Sequence, residues 1–302
     1  MQDEKCKVQN AKRGLKMAQP QAAVLLNEAA VHLGKNGIEE AVLNAQWLLA
    51  DALGVERLDL LADLSLTVPA TALRRFKKGM ILKERGLPLA YILGWQNFRG
   101  LKIKVDSRVL VPRPETEELA GLAADYLRGL GGPLTVMDYG AGSGAIGFWL
   151  AHEFSSLKLT AVDRSAGALS NARENAAALG LSARVRFQRA ASVAAIAGRF
   201  NLIVSNPPYI PTGAIAGLSP EVLSEPRVAL DGGGDGLTVA KKLTADAPAR
   251  LKKGGALIME LGEAQAKILL ALMPDKIWKE KRLFKDFNGV KRFVFGIARG
   301  GI

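Results

Sequence analysis

The sequence predicts an α/β protein: a mostly parallel, doubly wound sheet of seven strands with an antiparallel C-terminal hairpin, preceded by a small all-α domain. Three observations predict it. Across residues 134–273, short runs of branched apolar residues alternate with helical patterns, the mark of strand–crossover–strand units. Across residues 22–85 apolar residues recur at three-to-four spacing, which is helical. Near the end, runs at 277–284 and 290–297 flank Asn288-Gly289 and read as a hairpin.

The helical region takes its periodicity from Val24, Leu25, Ala29 and Leu33, then from Ala41, Ala45, Leu48, Leu49 and Leu53. Gly34, Gly37 and Gly54 punctuate helix ends, and Pro69 opens a further helix carrying Leu73, Phe76, Met80 and Ile81. No cluster of titratable groups appears there, and His32 reads as a helix histidine rather than a ligand. Such a bundle suits a binding platform, placed at residues 22–87. Residues 88–114 read as a linking β-hairpin, with a first strand in Tyr91-Ile92-Leu93-Gly94-Trp95 and a second in Leu101-Lys102-Ile103-Lys104-Val105 about the Gly100 turn. Thr116 is placed to cap the helix that follows, with acidic residues in its first turn. The α/β domain then occupies residues 115–302, with strands at 134–137, 157–162, 185–187, 200–205 and 256–261 before the terminal pair.

Length and composition bound the function. The 302 residues suit one large and one small domain. No apolar run reaches the about 18 residues a membrane span requires. Residues 1–21 mix acidic and basic side chains with no apolar core, so they read as a disordered extension and not a secretory signal. The single cysteine, Cys6, excludes an intramolecular disulfide and suits a reducing, cytoplasmic setting. The net charge of +12 favours an anionic partner, yet many solvated basic faces bind nothing in particular, so direct nucleic-acid binding is not expected from charge alone.

The chemistry concentrates at the carboxyl ends of the strands, where ligands bind in open α/β sheets. Asp138-Tyr139-Gly140-Ala141-Gly142-Ser143-Gly144 ends the first strand of the domain. Its glycines let backbone approach a ligand without Cβ clashes, and the next helix offers free N–H groups. Asp163 ends the next strand, about twenty residues on, where a carboxylate meets ribose hydroxyls. Together they indicate an adenosine-containing ligand. Gly142-Ser143-Gly144-Ala145-Ile146-Gly147 also fits the dinucleotide pattern, but a carboxylate at Asp138 would repel a pyrophosphate. No hydride-transfer constellation is evident either. An acidic rim suits the ammonium and sulfonium of S-adenosyl-L-methionine better.

The strand at residues 200–205 stops at Asn206-Pro207-Pro208-Tyr209. Two prolines withhold two N–H donors and fix φ, so the ladder cannot continue. Asn206, preceding a proline, is held extended with its carboxamide at the strand end. Asn-Pro-Pro alone also serves simply to end a strand. Beside the glycine loop and Asp163, however, it resembles the class I (Rossmann-like) methyltransferases that modify planar nitrogens, both adenine-N6 enzymes of nucleic acids and glutamine-N5 enzymes of proteins.

Leu87-Pro88-Leu89-Ala90-Tyr91-Ile92-Leu93-Gly94, Val109-Leu110-Val111-Pro112-Arg113-Pro114-Glu115-Thr116-Glu117, Glu225-Pro226-Arg227-Val228-Ala229-Leu230-Asp231-Gly232-Gly233 and Lys285-Asp286-Phe287 resemble the release factor glutamine methyltransferase family over residues 22–298. A sister family acts on a ribosomal protein and typically lacks the Pro-Glu-Thr-Glu run; Pro114-Glu115-Thr116-Glu117 favours the release factor enzymes. The resemblance implies a monomeric cytoplasmic enzyme moving methyl from S-adenosyl-L-methionine to the Gly-Gly-Gln glutamine of peptide chain release factors. It implies no metal. Cofactor contacts fall to Asp138, Gly140, Ala141, Gly142, Ser143, Gly144, Asp163, Ala191 and Asn206. Catalysis falls to Asn206, Pro207 and Tyr209, and substrate binding to Asn206, Pro207, Pro208 and Tyr209. One departure stands out: the family usually carries an acidic then a bulky residue near the adenine, where this chain has Ala190-Ala191. Weakened cofactor affinity is expected, with stacking left to Phe187 or a neighbour. An adenine-N6 enzyme and a non-catalytic release-factor-binding homologue stay open as alternatives.

Overall fold

The computed structural model describes residues 19–299, so the basic start with Cys6, expected to be a disordered extension, lies outside the described residues. The chain divides into two units at Leu93/Gly94. In the first, α1 (Ala22–Lys35), α2 (Ala41–Leu53), α3 (Arg57–Ala62) and α4 (Ala70–Glu84) surround a core of Leu25, Leu33, Leu48, Leu49, Leu60, Phe76 and Met80. Gly54 ends α2 at φ 73°, a conformation that costs a side-chain-bearing residue about 1–2 kcal/mol. Gly34, by contrast, lies inside α1 and ends nothing.

The expected first strand of the linking hairpin is a helix instead. Leu89–Leu93 forms a short α5, because the Pro88 carbonyl accepts from the amides of Tyr91 and Ile92 and because Leu89 and Ile92 pack on the helical core. The hairpin is β1 (Trp95–Phe98) with β2 (Leu101–Lys104), both in the second unit. Tertiary packing outweighs the strand preference of Tyr91 and Ile92.

The second unit holds a seven-stranded sheet in the order β5-β4-β3-β6-β7-β9-β8. Its strands are β3 (Thr135–Tyr139), β4 (Lys158–Asp163), β5 (Val185–Arg189), β6 (Phe200–Ser205), β7 (Leu251–Glu260), β8 (Trp278–Lys285) and β9 (Lys291–Ala298). Pairing is parallel from β5 to β7 and antiparallel for β7–β9 and β9–β8. Strand order reverses between β3 and β6, which is the switch point where such sheets bind ligands. The Ser205 hydroxyl donates to the Tyr139 carbonyl at 2.6 Å and ties the two strand ends there. Met137, Tyr139, Ile203, Leu257, Met259 and Trp278 share one buried cluster.

Helix α6 (Pro114–Arg128) begins earlier than expected. Arg113 is its N-cap residue and Pro114 occupies the first turn, where a missing N–H costs nothing. Thr116 therefore sits inside that turn and caps nothing, which frees its hydroxyl for the site. Helix α7 (Ala145–Glu153) follows β3, and α8 (Ala166–Ala178) follows β4 with Ser165 as a true N-cap, accepting from the Ala168 amide at 3.2 Å.

Candidate active site

The loop from Gly140 to Gly144 is held by its own backbone. The Gly140 and Ala141 amides both donate to the Val162 carbonyl, at 2.8 and 2.9 Å, and the Gly144 amide donates to Ala141 at 2.7 Å. Gly140, Gly142 and Gly144 all take positive φ, at 73°, 55° and 85°. A Cβ on Gly144 would stand 2.1 Å from the Phe148 ring. Asp163 completes the cradle. Its carboxylate accepts from the Gly142 amide at 3.0 Å and the Ser165 amide at 2.8 Å, while burial raises it above the ordinary carboxylate range. A cavity of about 280 Å³ opens over this loop, lined also by Leu110, Ile146, Ala190, Ala191 and Val239.

Asn206 stands across the switch point, one residue past the Ser205–Met259 pair, level with Glu260 on β7. Its Nδ2 donates to Thr116 Oγ1 at 2.9 Å, and the Thr116 hydroxyl donates to Glu260 Oε2 at 2.8 Å. Thr116 and Glu260 are 4% and 1% exposed, so the bond between them is buried, while Asn206 is partly exposed. Burial raises the Glu260 carboxyl to about 7. Among the described residues no donor reaches Asn206 Oδ1 or the Pro207 carbonyl. Two acceptors are thus left without a protein donor at one strand end, on residues that line a cavity.

The long connection after Tyr209 folds back over this point. Ile210 donates to the Leu230 carbonyl, Thr212 to Gly233, and Gly232 back to Ile210. Asp231 accepts from the Thr212 hydroxyl and the Gly233 amide, which holds its carboxyl below the ordinary value. Gly232 and Gly236 must lack side chains: a Cβ would lie 2.7 Å from the Pro208 carbonyl and 2.2 Å from that of Tyr209. Glu225 anchors the same connection, its buried carboxylate accepting from the Val111 amide at 3.0 Å and from Arg113 at 2.5 Å. Under it lies a second cavity, about 210 Å³, lined by Leu110, Arg113, Asn206, Pro207, Tyr209, Leu218 and Leu230 among others. Asn206, Pro207, Leu110 and Ala229 line both cavities.

Residues 24–94 match the family described as PrmC N-terminal domain, and residues 128–253 match Methyltransferase small domain. A release factor glutamine methyltransferase of Deinococcus radiodurans is 39% identical over 277 residues, which span 92% of this chain and 98% of that protein. The chain belongs to the release factor glutamine methyltransferase family. A second member, from Moorella thermoacetica, is 40% identical across 91% of this chain and 97% of its own. Among solved structures, the catalytic domain of hMettl16 in complex with an RNA hairpin superposes with a TM-score of 0.51 over 75% of this chain and 81% of that one. At 14% identity that likeness is one of fold.

For a family member, the residues singled out in the sequence divide unevenly. Gly140, Ala141, Gly142, Ser143, Asp163, Ala191 and Asn206 all line the larger cavity. Gly144 shapes the loop from beneath. Pro208 faces the larger cavity and Tyr209 the smaller, where burial raises its hydroxyl to about 12. Asp138 is not on an acidic rim. Strand β3 runs on to Tyr139, and alternation turns Asp138 away from Met137 and Tyr139 toward α7. There it is 1% exposed and accepts from the Gly147 amide at 2.9 Å. Its Oδ1 has no partner among the described residues, and burial raises its carboxyl to about 7. Phe187 does not reach the cavity either. It packs edge-on to Phe148 and under Arg173, because β5 continues two residues past it.

Glu260 and Glu225 were not anticipated as site residues. Glu260 did leave a signal, being the one carboxylate in the apolar run Leu257-Ile258-Met259-Glu260-Leu261. A charge in a buried strand requires a partner.

Proposed function

We propose that this protein transfers a methyl group from S-adenosyl-L-methionine to the side-chain amide nitrogen of the Gly-Gly-Gln glutamine of a peptide chain release factor. The observation that carries the reading is the wall shared by the two cavities at Asn206 and Pro207. The larger cavity suits the cofactor. Glycines at positive φ leave room against the loop, Asp163 stands at the end of β4 where ribose hydroxyls would lie, and the walls are largely apolar. Bound there, the cofactor supplies an electrophilic methyl carbon.

The smaller cavity suits a primary amide. Asn206 Oδ1 and the Pro207 carbonyl are two acceptors on one rigid strand end, matched to the two N–H bonds of an NH₂ group. Accepting from both hydrogens fixes the nitrogen's orientation, and positioning of this kind supplies at most about 7–11 kcal/mol of a barrier. Pro207 and Tyr209 flank the planar group, while Leu110 and Ala229 give the shared wall apolar sides. No carboxylate or imidazole lines the smaller cavity among the described residues. With no base lining the cavity, the amide nitrogen would bond to the methyl carbon as that carbon's bond to the cofactor's sulfur breaks, and would give up its proton to water afterwards.

The helical unit is the docking platform in this reading. Val24, Val31, Val42 and Leu58 are exposed apolar side chains on it, and the net charge of +12 favours an acidic protein. Incubating purified release factor with the enzyme and S-adenosyl-L-methionine, followed by peptide mass spectrometry, tests the proposal. One methyl on the loop glutamine is expected. Methyl found on nucleic acid and not on the release factor would replace it with the adenine-N6 reading.

A further inference from the structure

We propose that Glu260, acting through Thr116, sets the orientation of the Asn206 carboxamide, so that its oxygen and not its NH₂ group meets the substrate amide. The inference rests on the methyl-transfer reading above and adds two positioning residues to it. A carboxamide presents an acceptor on one side and a donor on the other, and an amide substrate is bound only by the acceptor. Strand geometry places Asn206 but does not choose between the two faces.

The bonds around it do. An ionised carboxylate accepts only, so Thr116 must give its single hydroxyl proton to Glu260. The Thr116 oxygen is then left as an acceptor, and Asn206 must turn Nδ2 toward it. Oδ1 is thereby aimed at the shared wall. Protonation of Glu260 reverses the logic: its O–H donates to Thr116, the Thr116 proton turns to Asn206, and the carboxamide gains by presenting NH₂ to the substrate. Such a reversed site repels the group it must bind.

The titratable groups facing Glu260 are Arg113 just before α6, Glu115 in its first turn, Arg292 on β9 and the neutral Tyr209 after β6. Arg113 is engaged by Glu225 and Arg292 by Asp286, so neither is committed to Glu260. Burial prevails and puts the titration near 7. Turnover should then fall as pH drops through that value.

The test compares wild type with Thr116→Val, Thr116→Ser and Glu260→Gln. Methylation of release factor is followed across pH at saturating cofactor, with S-adenosylhomocysteine binding measured by calorimetry. Thr116→Val should lower kcat about 100-fold, the scale of losing one preorganised group at a reacting centre, with cofactor binding retained. Thr116→Ser should restore most of it. Glu260→Gln keeps an acceptor but cannot titrate, so its kcat should fall several-fold, the scale of a weakened hydrogen bond, and lose the acid limb. Equal damage in Ser and Val, a wild-type kcat in Thr116→Val, or an unchanged acid limb in Glu260→Gln overturns the proposal. The Asn206 side-chain amide signals, recorded by NMR without substrate, supply an independent readout. They should move as pH crosses about 7 in wild type and stay still in Glu260→Gln. Signals that behave alike in both proteins overturn the relay even if a different substrate emerges, whereas an unmethylated release factor counts only against the functional reading.

Discussion

The two sides of the switch point are built in opposite ways. On the β3–β4 side, a contiguous loop from Gly140 to Gly144 shapes the cavity with backbone, and Asp163 pins it from 21 residues away. On the β6–β7 side, Asn206 depends on Thr116, 90 residues away, and Thr116 on Glu260, 144 residues away. A backbone cradle tolerates changes in side chains but not in φ. A side-chain relay does not tolerate a lost hydroxyl and is weakened by a lost carboxylate, though its backbone is ordinary. The cofactor side should therefore fail by losing binding, and the substrate side by losing turnover.

The largest predicted effect breaks the first side. Gly144→Val places a Cβ into the Phe148 ring at a φ of 85°. Left-handed strain of about 1–2 kcal/mol and overpacking of about 1–3 kcal/mol should together lower the thermal midpoint clearly and abolish S-adenosylhomocysteine binding by calorimetry. Retained binding in a folded Gly144→Val protein would show that the loop is not the cradle.

Glu225→Ala comes next and leaves the cofactor side intact. It strands the Val111 amide and removes the partner of Arg113, whose side chain is 34% exposed and so partly rescued by water. A destabilisation of about 2 kcal/mol is expected in denaturant titration. KM for the release factor should rise while cofactor affinity holds, and the reverse pattern would reassign the connection after Tyr209 to the cofactor.

A smaller effect separates stability from binding at Asp138. Its carboxyl keeps a proton up to about 7 in the folded chain, whereas the ordinary value is 3.8. Between those values the folded state binds more protons than the unfolded one, so stability falls as pH rises through the window. Asp138→Asn retains an acceptor for Gly147 and removes the titration. Its thermal midpoint should exceed that of wild type at mildly alkaline pH, and the two should converge on acidification. An alkaline midpoint below wild type would contradict the burial argument.

The smallest effect concerns Ala190 and Ala191, which line the larger cavity as small side chains. Ala190→Asp should tighten cofactor binding by up to about tenfold, equivalent to about 1.4 kcal/mol. An unchanged dissociation constant would mean that this edge does not meet the adenine.

The same contrast explains what could be read from the sequence. The glycine loop, Asp163 and Asn206-Pro207-Pro208-Tyr209 are contiguous signals whose backbone consequences are local, and each was found where the pattern put it. The parallel sheet and its terminal hairpin follow likewise from alternation. The strand expected at residues 91–95 is a helix up to Leu93 because the β preference of Tyr91 and Ile92 is weaker than the helical core they join. The sequence pattern puts Asp138 on the rim because it gives the end of β3 only within a residue or so, and one residue changes the face. Thr116 looked like a cap because its real partner lies on a distant strand. Nothing local in Thr116 or Glu260 announces the other; topology brings them together.

The central claim is that methyl passes at the wall formed by Asn206 and Pro207, and Asn206→Ala tests it most directly. Single-turnover methylation of release factor and calorimetric binding of S-adenosylhomocysteine should be measured on the same preparation. The account predicts turnover lowered by about 100-fold or more with binding near that of wild type, since the cradle lies across the switch point from the lost carboxamide. Wild-type turnover in Asn206→Ala would contradict it, because among the described residues Asn206 supplies the only carboxamide lining the smaller cavity.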